Sequence, residues 1–162
     1  MKRTVWLLMM LGLLLALCAS ACAARPPQIA EPTLSLCGVQ LSIGMSEQAA
    51  LAALGEDYTL SESVSCAGLG TDRLYTYPSA RLYFFAPESG ESTLTSVSYT
   101  DDGAVTADGL HIGCEVQQVI ARRGEPTERG ETYLIYRGKA AQLQFTLRDG
   151  RVTGISLLSL EE

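Results

Sequence analysis

Asparagine is absent from this 162-residue chain, histidine occurs once and lysine twice. Without Asn there is no N-glycosylation acceptor. With His111 alone there is no second imidazole to share a metal, and its place between Leu110 and Ile112 reads as a strand residue facing solvent. The scarcity of Lys and a formal net charge of −6 are a poor match for nucleic acid or anionic headgroups. Asp101-Asp102-Gly103 and Asp108-Gly109 lack the spacing of a calcium loop and read as turns. Gly68-Leu69-Gly70 lacks the following helix and the further glycine of a phosphate loop. No metal and no cofactor are expected.

What is present begins with a leader. Lys2 and Arg3 precede Val5 to Ala19, fifteen residues without a charge. That suits the apolar stretch of a signal peptide better than a membrane span of roughly 20 residues. The stretch ends in Ala19-Ser20-Ala21 and then Cys22, which resembles the lipobox of bacterial lipoproteins, although that pattern usually has Leu where Ala19 stands. The resemblance implies cleavage after Ala21 and acyl chains, palmitate among them, on Cys22. Two or more such chains make a durable anchor. Cleavage after Ala21 or Ala24 by an ordinary signal peptidase, and an uncleaved anchor, are the competing readings. Residues 1–21 are thus read as signal peptide. Residues 22–35, with Pro26, Pro27 and Pro32, are read as an extended tether. Loss of Lys2 and Arg3 leaves ten basic against eighteen acidic residues, a mature charge of −8.

Of five cysteines, Cys18 leaves with the leader and Cys22 takes lipid. Export permits a disulfide, and Cys37 with Cys66 is the candidate pair, against the alternative of three reduced thiols.

The rest of the chain repeats. Ile43 to Glu56 aligns without gaps on Ile112 to Glu125 at an offset of 69. Each segment reads as a short helix, with Ser46 or the weaker Glu115 as N-cap, Gly55 or Gly124 at the C-terminus, and Pro126 blocking continuation. Val116, Val119 and Ile120 form one apolar stripe. Alternation in Ala141 to Arg148 marks a half-buried strand, and Asp149-Gly150 a hairpin turn. Leu94 to Tyr99 lies over Val152 to Leu157 with the same break in phase, which marks a bulge or a residue buried on the opposite face. The first copy has extra material, Tyr58 to Thr71, reading as an added strand and a Gly-rich loop. The expected fold is α+β: two tandem units, 36–103 and 104–162, each one short helix and a three-stranded antiparallel meander, with both helices on one face of a continuous sheet. Units of this size bury too little surface to stand alone.

A Gly at the helix start, a short helix, Gly-Glu-Pro and a meander resemble the tandem modules of SmpA/OmlA-type envelope lipoproteins and of β-lactamase-inhibitor-protein-like repeats, and a module that accompanies some secreted CAP-domain proteins. The resemblance implies helix-on-sheet folds and protein binding rather than catalysis. Cys114 at a helix start with His111 nearby is the arrangement of a Cys–His nucleophile, but its alignment with Met45 argues for a buried apolar role. No catalytic residues are assigned and the chain is not expected to be an enzyme. The candidate binding face is Tyr75, Tyr77, Arg81, Tyr83, Tyr133 and Gln144, because Tyr offers a rigid body and a polar tip at recognition surfaces. The alternative is that these rings flank the core. The functional expectation is a lipid-anchored, extracytoplasmic module that binds an envelope protein or cell-wall component. The runners-up are a secreted inhibitor-like module using the Cys66–Thr71 loop, and a hydrolase using Cys114.

Mass spectrometry of the mature N-terminus is expected to find Cys22 first and carrying acyl chains. An unacylated protein that starts elsewhere overturns the lipid-anchor reading.

Overall fold

The computed structural model describes residues 30–66 and 68–160; the signal peptide, Cys22 and the start of the tether lie outside them. Ordered structure begins within the stretch read as tether. Leu34–Leu36 (β1) and Val39–Leu41 (β2) make a two-stranded hairpin. Its turn, Cys37-Gly38, has φ of 51° and 80°, the handedness that suits twisted strands. Leu34, Leu36 and Leu41 are buried, so residues 34 and 35 belong to the domain.

A first helix, α1 (Glu47–Leu54), is followed by β3 (Thr59–Val64), β4 (Gly70–Tyr77), β5 (Ala80–Pro87) and β6 (Thr93–Tyr99). A second, α2 (Val116–Arg123), is followed by β7 (Glu128–Arg129), β8 (Tyr133–Arg137), β9 (Ala141–Arg148) and β10 (Arg151–Ser159). The eight strands β3 to β10 form one antiparallel sheet in the order β3-β4-β5-β6-β10-β9-β8-β7. The expected α+β fold of two helix-plus-three-strand units is therefore corrected. The described residues are mostly β, with a separate hairpin and a single eight-stranded sheet. Two features produce the difference. Thr59–Val64 pairs along β4 through six residues, and Glu128–Arg129 pairs with β8 through two, so each helix leads into four strands. Each helix is only eight residues long, too short to be stable without the packing that the sheet provides.

One core lies on one face of the sheet. Leu82, Phe84, Val97, Leu143, Phe145, Ile155 and Leu157 point into it, and the hairpin's leucines with Ala50 of α1 and Val119 of α2 close it. Each helix start is fixed to the sheet by the same backbone bonds. Gly44 N–H donates to Leu94 O at 2.9 Å and Leu94 N–H to Met45 O at 2.8 Å; Gly113 N–H donates to Val152 O at 2.8 Å and Val152 N–H to Cys114 O at 2.9 Å. Ser46 Oγ accepts from Ala49 N–H at 3.3 Å, while the Gln118 side chain accepts from Glu115 N–H at 2.9 Å. The helix ends match too. Gly55 and Gly124 have φ of 80° and 78° with ψ near 180°, a region open in practice only to Gly. Their carbonyls accept from Tyr77 Oη and Tyr136 Oη, each at 3.0 Å.

The phase break in the final strands is a β-bulge. The β5–β6 register skips Thr95 and the β9–β10 register skips Thr153. Thr95 Oγ1 donates to Tyr83 O at 3.1 Å and Thr153 Oγ1 to Thr146 O at 3.4 Å.

The two halves of the sheet meet at three residue pairs, Ser98 with Ser156, Val97 with Leu157 and Ser96 with Leu158. Val97 and Leu157 are fully buried, whereas Ser98, Ser156 and Leu158 face the uncovered side. Leu157→Ala is expected to cost about 3 kcal/mol as a core truncation, and Leu158→Ala about 1 kcal/mol. Chemical denaturation of the two variants checks this register; equal losses contradict it.

Candidate functional site

The six side chains of the expected binding face divide between the two sides of the sheet. Tyr75 and Tyr77 pair with Leu82 and Ala80 on the core side and are 3% and 5% exposed. Tyr58 packs on both rings, at 4.8 and 5.5 Å between centroids. Burial pushes the Tyr77 hydroxyl up to about 12 and that of Tyr75 upward as well. For these two, the alternative that they flank the core is what the structure has. Arg81, Tyr83, Tyr133 and Gln144 lie on the open side. Thr76, Arg81, Ser98, Ser156 and Gln144 form one row across it, with a 2.9 Å hydrogen bond between the Ser98 and Ser156 hydroxyls. Tyr83 on β5 and Tyr133 on β8 are four strand spacings apart, about 19 Å at roughly 4.8 Å each. They do not make one compact patch.

The apolar side chains of the open face gather on the first half instead. Leu158, Ser96, Tyr83, Leu74 and Ser61 form a row that runs out to β3, and Phe85 stands beside it. β3 is an edge strand, paired on one side only, and all six of its residues are exposed. Leu60 and Val64 project from it at 46% and 78% exposure, with Leu69 at 66% in the adjoining turn. Edges of this kind are usually protected by Lys, Pro, a bulge or brevity. The other edge, β7, is two residues long and follows Pro126; β3 is six residues long with no Lys, Pro or bulge, and its one charge, Glu62, is paired with Arg73.

The edge strand is held by a charged clamp. Arg73 on β4 binds Glu47 of α1 at 2.9 Å and Glu62 of β3 at 2.8 Å, and Tyr75 Oη donates to Glu47 as well. Burial pushes the Glu47 carboxyl up. The donors around it, Tyr75 and Arg73 among them, more than offset this and hold it below its ordinary value of 4.5. Surface charge is uneven. Residues 30–103 carry ten acidic and two basic side chains, residues 104–162 eight acidic and seven basic. Sequence reasoning allowed for a strand after Tyr58 but did not see the edge as a site. The available signal was Leu60, Glu62 and Val64 in one phase with no Lys or Pro in the strand.

The candidate disulfide is not formed: Cys37 and Cys66 are free and exposed. Cys37 lies by Tyr77 at one end of β4, and Cys66 lies in the turn before Gly70 at the other. The strand's eight residues span about 23 Å at 3.3 Å per residue, beyond the 7 Å reach of a disulfide. Cys114 is 5% exposed in the core, and His111 Nδ1 is engaged with Ile112 O at 2.8 Å. The hydrolase reading needs both side chains in an open pocket, and the Cys114 thiol is not in one. Among the described residues no group of three His, Cys, Asp or Glu is placed to hold a metal, and no helix is long and apolar enough to cross a membrane.

Compared with known proteins, the chain matches no family model, no curated protein and no solved structure. The resemblance to SmpA/OmlA-type and β-lactamase-inhibitor-protein-like modules thus rests on short motifs alone.

Glu47→Gln is expected to cost about 2 kcal/mol at neutral pH, the scale of hydrogen bonds to a charged group. The folded carboxyl has the lower pKa, so its contribution is complete above 4.5 and fades as pH falls through the folded value. Thermal melts across pH 3 to 7 check the sign: the variant has the shallower acid loss.

Proposed function

We propose that this protein is a binding module of the cell envelope, held outside the membrane by lipid on Cys22, that takes its partner by strand addition at β3. The observation that carries the reading is the bare edge itself. It offers outward backbone N–H and C=O groups, with exposed Leu60 and Val64 on the helix side of the strand and Leu74, Tyr83 and Phe85 behind it on the open face. In strand addition the backbone supplies affinity and alternate side chains supply specificity. The strongly acidic first half favours an extended partner segment with basic residues among its apolar ones.

The same surface serves the inhibitor-like reading, which the exposure of Leu69 in the Cys66–Thr71 loop favours. The two differ in the partner, a resident envelope protein in one case and a foreign extracellular enzyme in the other.

Photo-crosslinking residues placed at Val64 and, as a control, at Glu128 on the β7 edge test the proposal in intact cells. A discrete crosslinked partner is expected from position 64 and not from 128. Leu60→Pro, which removes an outward-facing N–H of the edge and spares the β3–β4 ladder, where Ser61 and Ser63 are the bonded residues, is expected to abolish it without unfolding the protein. No discrete product at 64, or equal products at both edges, overturns strand addition at β3.

A further inference from the structure

At the far end of the sheet from β3, a cleft of about 530 Å³ lies between the segment Ala30–Thr33 and the end of α2. Arg122 and Arg123 line it together with Tyr136; Arg137 borders it at the end of β8, but its guanidinium pairs with Glu128 on the open face, in phase with Ile135 and not with Tyr136. The wall opposite the helix is fixed in place: the Glu31 carboxylate accepts the N–H groups of Lys139 and Ala140 in the β8–β9 turn, at 2.7 and 3.2 Å. Two acids therefore border the cleft, and both are already engaged, Glu31 with the turn and Asp108 with Arg123 at 2.7 Å. Burial pushes the Asp108 carboxyl up, and hydrogen bonds and Arg123 more than reverse this, so it stays ionised and paired.

Arg123 carries more donors than the protein uses. Its guanidinium sits over the Phe145 ring, 5.6 Å from the centroid, and its Nε is buried without a hydrogen-bond partner among the described residues. A buried donor left unpaired calls for an explanation. Structural need does not supply one, because the matching place in the first half is built without arginine. There Leu54 ends α1 where Arg123 ends α2. Tyr77 bonds the glycine carbonyl as Tyr136 does, and Pro78 stands where Arg137 does. That pocket, about 410 Å³, has Leu54, Tyr77 and Pro78 in its wall. The same scaffold thus holds with an apolar lining, and the arginines of the second half are surplus to it.

We infer that this arginine-lined cleft binds an oxyanion group, a phosphate or a carboxylate, on a small molecule. Planar guanidinium forks match both anions, and a pocket of this volume takes the body of such a ligand as well as its charge. The inference is independent of the β3 edge and of the lipid anchor.

The test uses the full chain in a non-ionic detergent, titrated with inorganic phosphate, with acetate, and with chloride at matched ionic strength, and followed by NMR amide shifts. Phosphate or acetate is expected to move the amides of Asp108, Arg123, Tyr136 and Arg137 saturably while chloride does not, and the tighter of the two identifies the group. Arg122→Ala is expected to weaken this binding about tenfold. Arg122 is exposed on α2 and its bond goes to the Asp108 carbonyl, so the fold survives its loss. Arg123→Leu, which copies Leu54, is expected to abolish binding. Shifts of equal size with chloride, shifts centred elsewhere, or binding unchanged in Arg122→Ala overturn the inference. A misfolded Arg123→Leu leaves the Arg122→Ala result to decide.

Discussion

Antiparallel pairing of β6 with β10 is the joint on which the molecule depends. It has three registered pairs, yet it turns two marginal halves into one sheet with one core. Val97 and Leu157 bury their side chains there completely, and the hydroxyls of Ser98 and Ser156 close the same joint on the other face. Tyr99, the last residue of β6, donates to Ser35 O of the hairpin. Burial pushes its hydroxyl up to about 12. The joint therefore also anchors the layer above the sheet. Without it the leucines of β1 and β2 have no floor, and helices of eight residues have no surface on which to persist.

Much of the local structure was legible because it is fixed by single residues with strong backbone or side-chain preferences. Ser46, Gly55, Gly124 and Asp149-Gly150 each act where the sequence suggests. The broken phase of Leu94 to Tyr99 and Val152 to Leu157 is the trace of a bulge at Thr95 and Thr153. The number of strands was not legible. Glu128–Arg129 is too short to alternate, and Leu60 and Val64 face water, so neither edge strand leaves a buried pattern to read. Leu34 and Leu36 were obscured by the prolines before them.

The site was less legible than the fold, and for a definite reason. Alternation shows that two residues lie on opposite faces, but not which face the helices cover. Tyr75 and Tyr77 share a phase with each other and not with Tyr83, once the turn at Pro78-Ser79 is counted, and composition alone cannot assign the phases. Tyrosine content pointed to recognition, but the most buried rings are there for the core, with Glu47 and Gly55 as partners for their hydroxyls. The exposed apolar residues that mark the edge are aliphatic and ordinary. The arginines of α2 stand in its last turn, where cations complement the helix dipole, and only comparison with Leu54 shows that the scaffold does not need Arg123.

The two surfaces lie near opposite ends of one rigid sheet. From β8 to β3 there are six strand spacings, about 29 Å at roughly 4.8 Å each, so occupants of the arginine cleft and of the β3 edge do not touch. Sites that far apart, with no shared partners, combine additively unless the element between them has two arrangements. The element between them is a hydrogen-bonded sheet with a filled core, which offers no second arrangement. The geometry also orders the surfaces along the chain. The tether meets the domain at the cleft, through Glu31, and β3 is the strand farthest from that point. On the proposed anchor at Cys22, eight residues before Ala30, the cleft would stand within about 27 Å of the bilayer surface, and the β3 edge would be the part of the sheet farthest from it.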